Sequence, residues 1–100
     1  MDRARKEYRE ILEIDPPNAA SAFNQGYIFL EYLQSYDSAA HHFSKAIEAL
    51  PYYHQAFFNR GLAYESLGEV EQAELDYREA LRFKPDYTAA AIALERVLNR

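Results

Sequence analysis

Apolar side chains recur along this chain at spacings of three and four, as at Tyr8, Ile11 and Leu12 and again at Ala73, Tyr77, Ala80 and Leu81. That is the period of one face of a helix; a half-buried strand would alternate. Good helix formers, chiefly Ala, Glu, Leu, Arg and Gln, fill the runs. Proline punctuates them at Asp15-Pro16-Pro17-Asn18, Leu50-Pro51 and Lys84-Pro85-Asp86, because it lacks the donor that would continue a helix. Weaker breaks lie at Gln34-Ser35-Tyr36-Asp37 and at Gly68. The pattern predicts an all-α chain of about six helices, at residues 2–14, 19–33, 38–50, 54–67, 70–83 and 88–99. Short connections make neighbouring helices antiparallel.

The pattern also repeats. Asn24-Gln25-Gly26-Tyr27 is followed by Ala39, Phe43, Ala46 and Pro51; Asn59-Arg60-Gly61-Leu62 is followed by Ala73, Tyr77, Ala80 and Pro85. Ala39/Ala73, Ala46/Ala80 and Pro51/Pro85 share one offset, and Gly26/Gly61 exceed it by a single position. A fixed period of this length, about 34 residues, signals a solenoid of helix pairs. Two helices cross closely only where side chains are short. Gly26 and Gly61, each costing about 1 kcal/mol of helix propensity, are therefore expected at such crossings. The four alanines serve the same contacts, and Tyr64 and Tyr77 fill the space beside them.

In these positions the chain resembles the tetratricopeptide repeat family. Residues 54–87 carry Phe57 at the usual Trp site, then Gly61, Tyr64, Gly68, Ala73, Tyr77, Ala80 and Pro85. Residues 19–53 form a second repeat, longer by one, with Gly26, Phe29, Ala39, Phe43, Ala46 and Pro51; its extra residue falls between Leu30 and Asp37. Residues 1–18 look like the back half of an earlier repeat, and 88–100 like the front half of a later one or a cap. Ala22 replaces the usual aromatic, and Gln25 and Arg60 stand where Leu is common, so these sites are expected to pack less well. The resemblance implies a single domain, a right-handed helix-turn-helix solenoid, whose work is to bind protein rather than to catalyse.

In that family the front helix of each repeat lines the concave side. Mapped onto this chain, the resemblance gives a peptide groove of Phe23, Asn24, Tyr27, Gln55, Phe58, Asn59, Leu62 and Ile92, with Leu30, Glu65, Ala93 and Arg96 also on that side. Asn24 and Asn59 recur at one repeat position, where an amide offers both donor and acceptor to a peptide backbone. Phe58 and Asn59 are expected to matter more for binding than for folding. Some members clamp a C-terminal carboxylate with lysines, an arginine and asparagines; here the Lys and Arg sites hold Phe23, Ala89 and Ala93, or Phe23, Gln55 and Asn59 in a shifted alignment. Clamping of that kind is not expected.

Composition removes other roles. The net charge of -5 argues against nucleic acid as a partner. The absence of cysteine excludes disulfides and thiolate chemistry and leaves the compartment open. No apolar run approaches the ~20 residues that span a bilayer. His41 and His42 are adjacent and diverge on a helix, so they make no ligand pair and read as solvated. No Ser-His-acid set or phosphate loop is visible, so no enzyme activity, cofactor or metal is expected. Glu65, Glu69, Glu71, Glu74, Asp76 and Glu79 read as a solvated, dipole-favoured helix start, or else as a docking edge for a basic partner. The alternative to a peptide scaffold is a structural segment that self-associates head-to-tail, through Tyr8, Ile11 and Leu12 at one end and Leu94, Val97 and Leu98 at the other.

Overall fold

A computed structural model describes residues 16–99. Among the described residues there are five helices and no strand: α1 (Pro16–Glu31), α2 (Tyr36–Ala49), α3 (His54–Ser66), α4 (Val70–Phe83) and α5 (Thr88–Leu98). The helix expected at residues 2–14 lies outside the described residues. Each helix packs on its predecessor, and α1 also touches α3.

Helix α1 begins three residues earlier than the pattern predicts. Pro16 and Pro17 sit in its first turn, where a missing N–H costs no hydrogen bond and the proline φ already suits a helix. Its far end closes through Gln34, which adopts a left-handed φ of 51°, while the Ser35 N–H donates to the Phe29 carbonyl at 2.9 Å. Gly68 takes the equivalent left-handed place after α3, with φ 82°. Glycine does this without steric cost, and the Gln34 turn accommodates the extra residue of the first repeat.

The helix crossings depend on the two helical glycines. A methyl group on Gly26 would come within 2.8 Å of the Phe43 ring, and one on Gly61 within 2.6 Å of the Tyr77 ring. Phe43 and Tyr77 are the largest fully buried side chains, and Ala39, Ala46, Ala73 and Ala80 are fully buried with them. Ala56 and Ala90, one repeat apart, are equally buried. So is Ala63, whose repeat equivalent is Val97.

Arg60 does not pack poorly. Its Nε and Nη2 both donate to the Asp76 carboxylate at 2.8 Å, and its Nη1 donates to Ser44 Oγ at 3.0 Å. The Phe57 and Tyr64 rings each lie 5.6 Å from its guanidinium carbon. A planar guanidinium can fork a carboxylate and stack at once, which leucine cannot. One side chain of α3 thereby ties α4 to α2. Burial pushes the Asp76 carboxyl up, beyond what Arg60 pulls down. Burial also opposes the Arg60 charge, but the bonds and charge of Asp76 outweigh it and raise the guanidinium pKa. The two shifts weigh the pair differently; the forked geometry, with two short parallel bonds, is that of an ionised pair.

Substitution of Gly61 by Ala gains about 1 kcal/mol of helix propensity but forces a methyl against a ring that cannot retreat. Overpacking of this kind costs about 1–3 kcal/mol. Chemical denaturation should show Gly61→Ala less stable than the parent; equal or greater stability would mean that the crossing is looser than described.

Candidate functional site

The site expected from the sequence lies along the front helices α1, α3 and α5. They share a cleft of about 440 Å³, with Leu30 and Glu31 from α1, Leu62, Glu65 and Ser66 from α3, and Arg96 from α5. Gln34 of the turn after α1 and Tyr36 at the start of α2 also line it.

The expected groove residues divide into two kinds. Asn24, Tyr27, Gln55 and Ile92 are exposed, with Tyr27 at 42% and Ile92 at 57%. Leu62 and Asn59 are half-buried. Neither the Asn24 nor the Asn59 amide has a hydrogen-bond partner among the described residues. Phe23 and Phe58 are half-buried instead, and each is held by two rings. Phe23 stacks on Tyr53 at 5.0 Å and meets Phe43 edge-on at 5.5 Å. Phe58 lies 5.2 Å from Tyr87 and 5.8 Å from Tyr77. Tyr53 and Tyr87 stand one repeat apart, and each precedes a front helix as its N-cap residue. The two phenylalanines therefore fasten each front helix to the turn that follows its repeat, which is a packing duty. Leu30 and Ala93, also expected on the groove side, are buried.

One corner of the cleft is ionic. Arg96 donates from Nε and Nη2 to the two Glu65 oxygens, each at 2.7 Å, and the Tyr77 hydroxyl donates to Glu65 Oε1 at 2.7 Å. The Glu65 side chain is only 9% exposed. Its hydrogen bonds raise the Arg96 pKa. Burial, then the bond and charge of Glu65, push the Tyr77 phenol up, so it stays a donor.

Four of the six acidic residues of the expected edge are paired, while Glu69 and Glu71 stay exposed. Glu65 and Asp76 point inward to arginines, and Glu74 and Glu79 pair along α4 with Arg78 and Arg82. Of the histidines, His41 is exposed but His42 is half-buried: its Nδ1–H donates to the Ser38 carbonyl at 2.8 Å and its ring stacks on Phe29 at 5.0 Å. Among the described residues no group of His, Asp or Glu side chains could hold a metal ion, and no helix is long and apolar enough to cross a membrane.

At the other proposed surface, Val97 is not exposed. It is 5% accessible and packs with Ala73, Tyr77 and Ala93, because its repeat position faces the preceding back helix. Leu94 is half-buried and Leu98 is 53% exposed. Tyr8, Ile11 and Leu12 lie outside the described residues.

The family model for the tetratricopeptide repeat matches residues 54–87. The TPR domain of Arabidopsis OM64 superposes with a TM-score of 0.80 at 30% identity, over 83% of this chain and 68% of that one. The chain belongs to the tetratricopeptide repeat family. The first TPR domain of Spaghetti (RPAP3), solved with the HSP90 peptide SRMEEVD bound, superposes with a TM-score of 0.79 at 26% identity, over 84% of this chain and 68% of that one. In sequence, Hsp70-Hsp90 organizing protein 2 of Arabidopsis thaliana is 36% identical over 52 residues. That match takes in 52% of this chain and 9% of the plant protein.

The two kinds of groove residue in this TPR chain should separate on substitution. Phe58→Ala removes a ring wedged between two others and should cost about 2–3 kcal/mol, less than the ~3–5 kcal/mol of a fully buried phenylalanine because the site is only half-buried. Asn59→Ala should stay within about 0.5 kcal/mol, as for an ordinary surface change. Urea denaturation of both variants checks this; equal losses would mean that Asn59 is also structural.

Proposed function

We propose that this chain is a non-catalytic scaffold that binds a peptide segment of another protein across its front helices. The reading rests on one arrangement: α1, α3 and α5 share a cleft lined by Leu62, and α1 and α3 also carry Asn24 and Asn59, one repeat apart and without hydrogen-bond partners among the described residues. An extended peptide presents a donor and an acceptor at every residue, and an amide side chain can meet both. Exposed Tyr27 and Ile92 and half-buried Leu62 supply apolar contact for its side chains. Peptide binding by the RPAP3 neighbour supports the same use of the fold. Phe23 and Phe58 shape the groove through the turns they hold and are not its chief contacts. The right-handed sense of the solenoid belongs to this reading.

A random peptide library displayed on phage and selected on the protein tests it. Selected peptides should lose about tenfold in affinity to the Asn24→Ala, Asn59→Ala double variant, corresponding to about 1.4 kcal/mol. Leu75→Ala, on exposed α4, should leave them unchanged. Peptides lost to Leu75→Ala and kept by the double variant would contradict the groove.

Head-to-tail association through α5 is the weaker reading. Exposed Leu98 supports it, and the inward turn of Val97 removes the centre of its apolar stripe. Sedimentation velocity across protein concentrations should show a species that grows with concentration in the parent and not in Leu98→Glu; a monomer throughout rules it out.

A further inference from the structure

The contact between successive front helices is built twice, once from hydrocarbon and once from charge. Leu30 and Glu65 are separated by the same offset that relates Gly26 to Gly61. Leu62 and Arg96 are one repeat apart, as are Phe43 and Tyr77. Where α1 meets α3 the three residues are Leu30, Leu62 and Phe43, gathered in one apolar cluster. Where α3 meets α5 they are Glu65, Arg96 and Tyr77, joined by bonds of 2.7 Å. All three positions have changed together.

This exchange sets the charge of the cleft. Glu65 holds two nitrogens of Arg96 and balances its cation. The remaining charge in the lining, among the described residues, is Glu31, which is exposed and has no ion-pair partner there. Two carboxylates thus stand against one guanidinium, beside the hydrocarbon of Leu30 and Leu62. A lysine or arginine matches both halves of that surface, since its stem lies on apolar groups while its head reaches a carboxylate. An incoming carboxylate would meet Glu31 and would have to displace Glu65 from Arg96.

Resting on the groove reading above, we infer that the cleft takes a basic segment of a partner protein, with a lysine or arginine at Glu31, and discriminates against an acidic one. The test uses three synthetic peptides built on the apolar frame of a selected peptide, with lysine, glutamine or glutamate at its other positions. Fluorescence anisotropy at low salt should show the lysine peptide binding about tenfold tighter than its glutamate twin, with the gap closing as salt is added. Glu31→Lys should reverse the order while leaving the melting curve unchanged. Equal binding of the lysine and glutamine peptides, or tightest binding of the glutamate peptide, overturns the charge inference and leaves the groove standing. Failure of all three to bind overturns both.

Discussion

The close approach of a glycine to an aromatic ring sets the geometry of each helix pair. Gly26 faces Phe43, and Gly61 faces Tyr77, at distances that leave no room for a methyl group. The ring takes the space the missing side chain leaves, and buried alanines on α2 and α4 let the backbones stay close along the crossing. Once each pair is set at this distance, the front helices are brought side by side. The cleft between α1, α3 and α5 follows from that alignment, as does the placing of Asn24 and Asn59 on successive front helices.

On this common frame the two repeats are finished differently. One period along, ionic groups stand where the preceding positions are apolar or neutral: Arg60 with Asp76 in place of Gln25 and His42, and Glu65 with Arg96 in place of Leu30 and Leu62. Burying such pairs brings a desolvation cost that their attraction offsets only when geometry is good. Here both arginines are forked on their carboxylates, at 2.8 Å for Arg60 and 2.7 Å for Arg96. These bonds orient α4 and α5 against α3 more narrowly than apolar contacts would. They also withdraw Arg96 from service as a free cation in the cleft.

The helices and their order are legible in the sequence because proline, glycine and apolar spacing agree at every level. The range expected at residues 70–83 has the bounds that α4 shows. The start of α1 is harder to place because a proline can end one helix or open the next, and spacing alone does not say which. Side-chain partners are less legible. Asp76 resembles one of several surface acids, yet its partner Arg60 lies on another helix, far from it in sequence. Phe58 resembles a ligand contact because position on a helix face does not reveal that Tyr87 folds back onto it. The burial of Val97 was within reach of the repeat: one period earlier stands Ala63, in a core-facing register.

The claim that the front helices form the binding surface can be checked directly by titrating isotope-labelled protein with a selected peptide and following backbone amides by nuclear magnetic resonance. The account predicts the largest shifts near Asn24, Tyr27, Glu31, Leu62 and Ile92, with α2 and α4 little changed. Shifts concentrated on α4 around Leu75, Arg78 and Arg82, with the front helices silent, would contradict it.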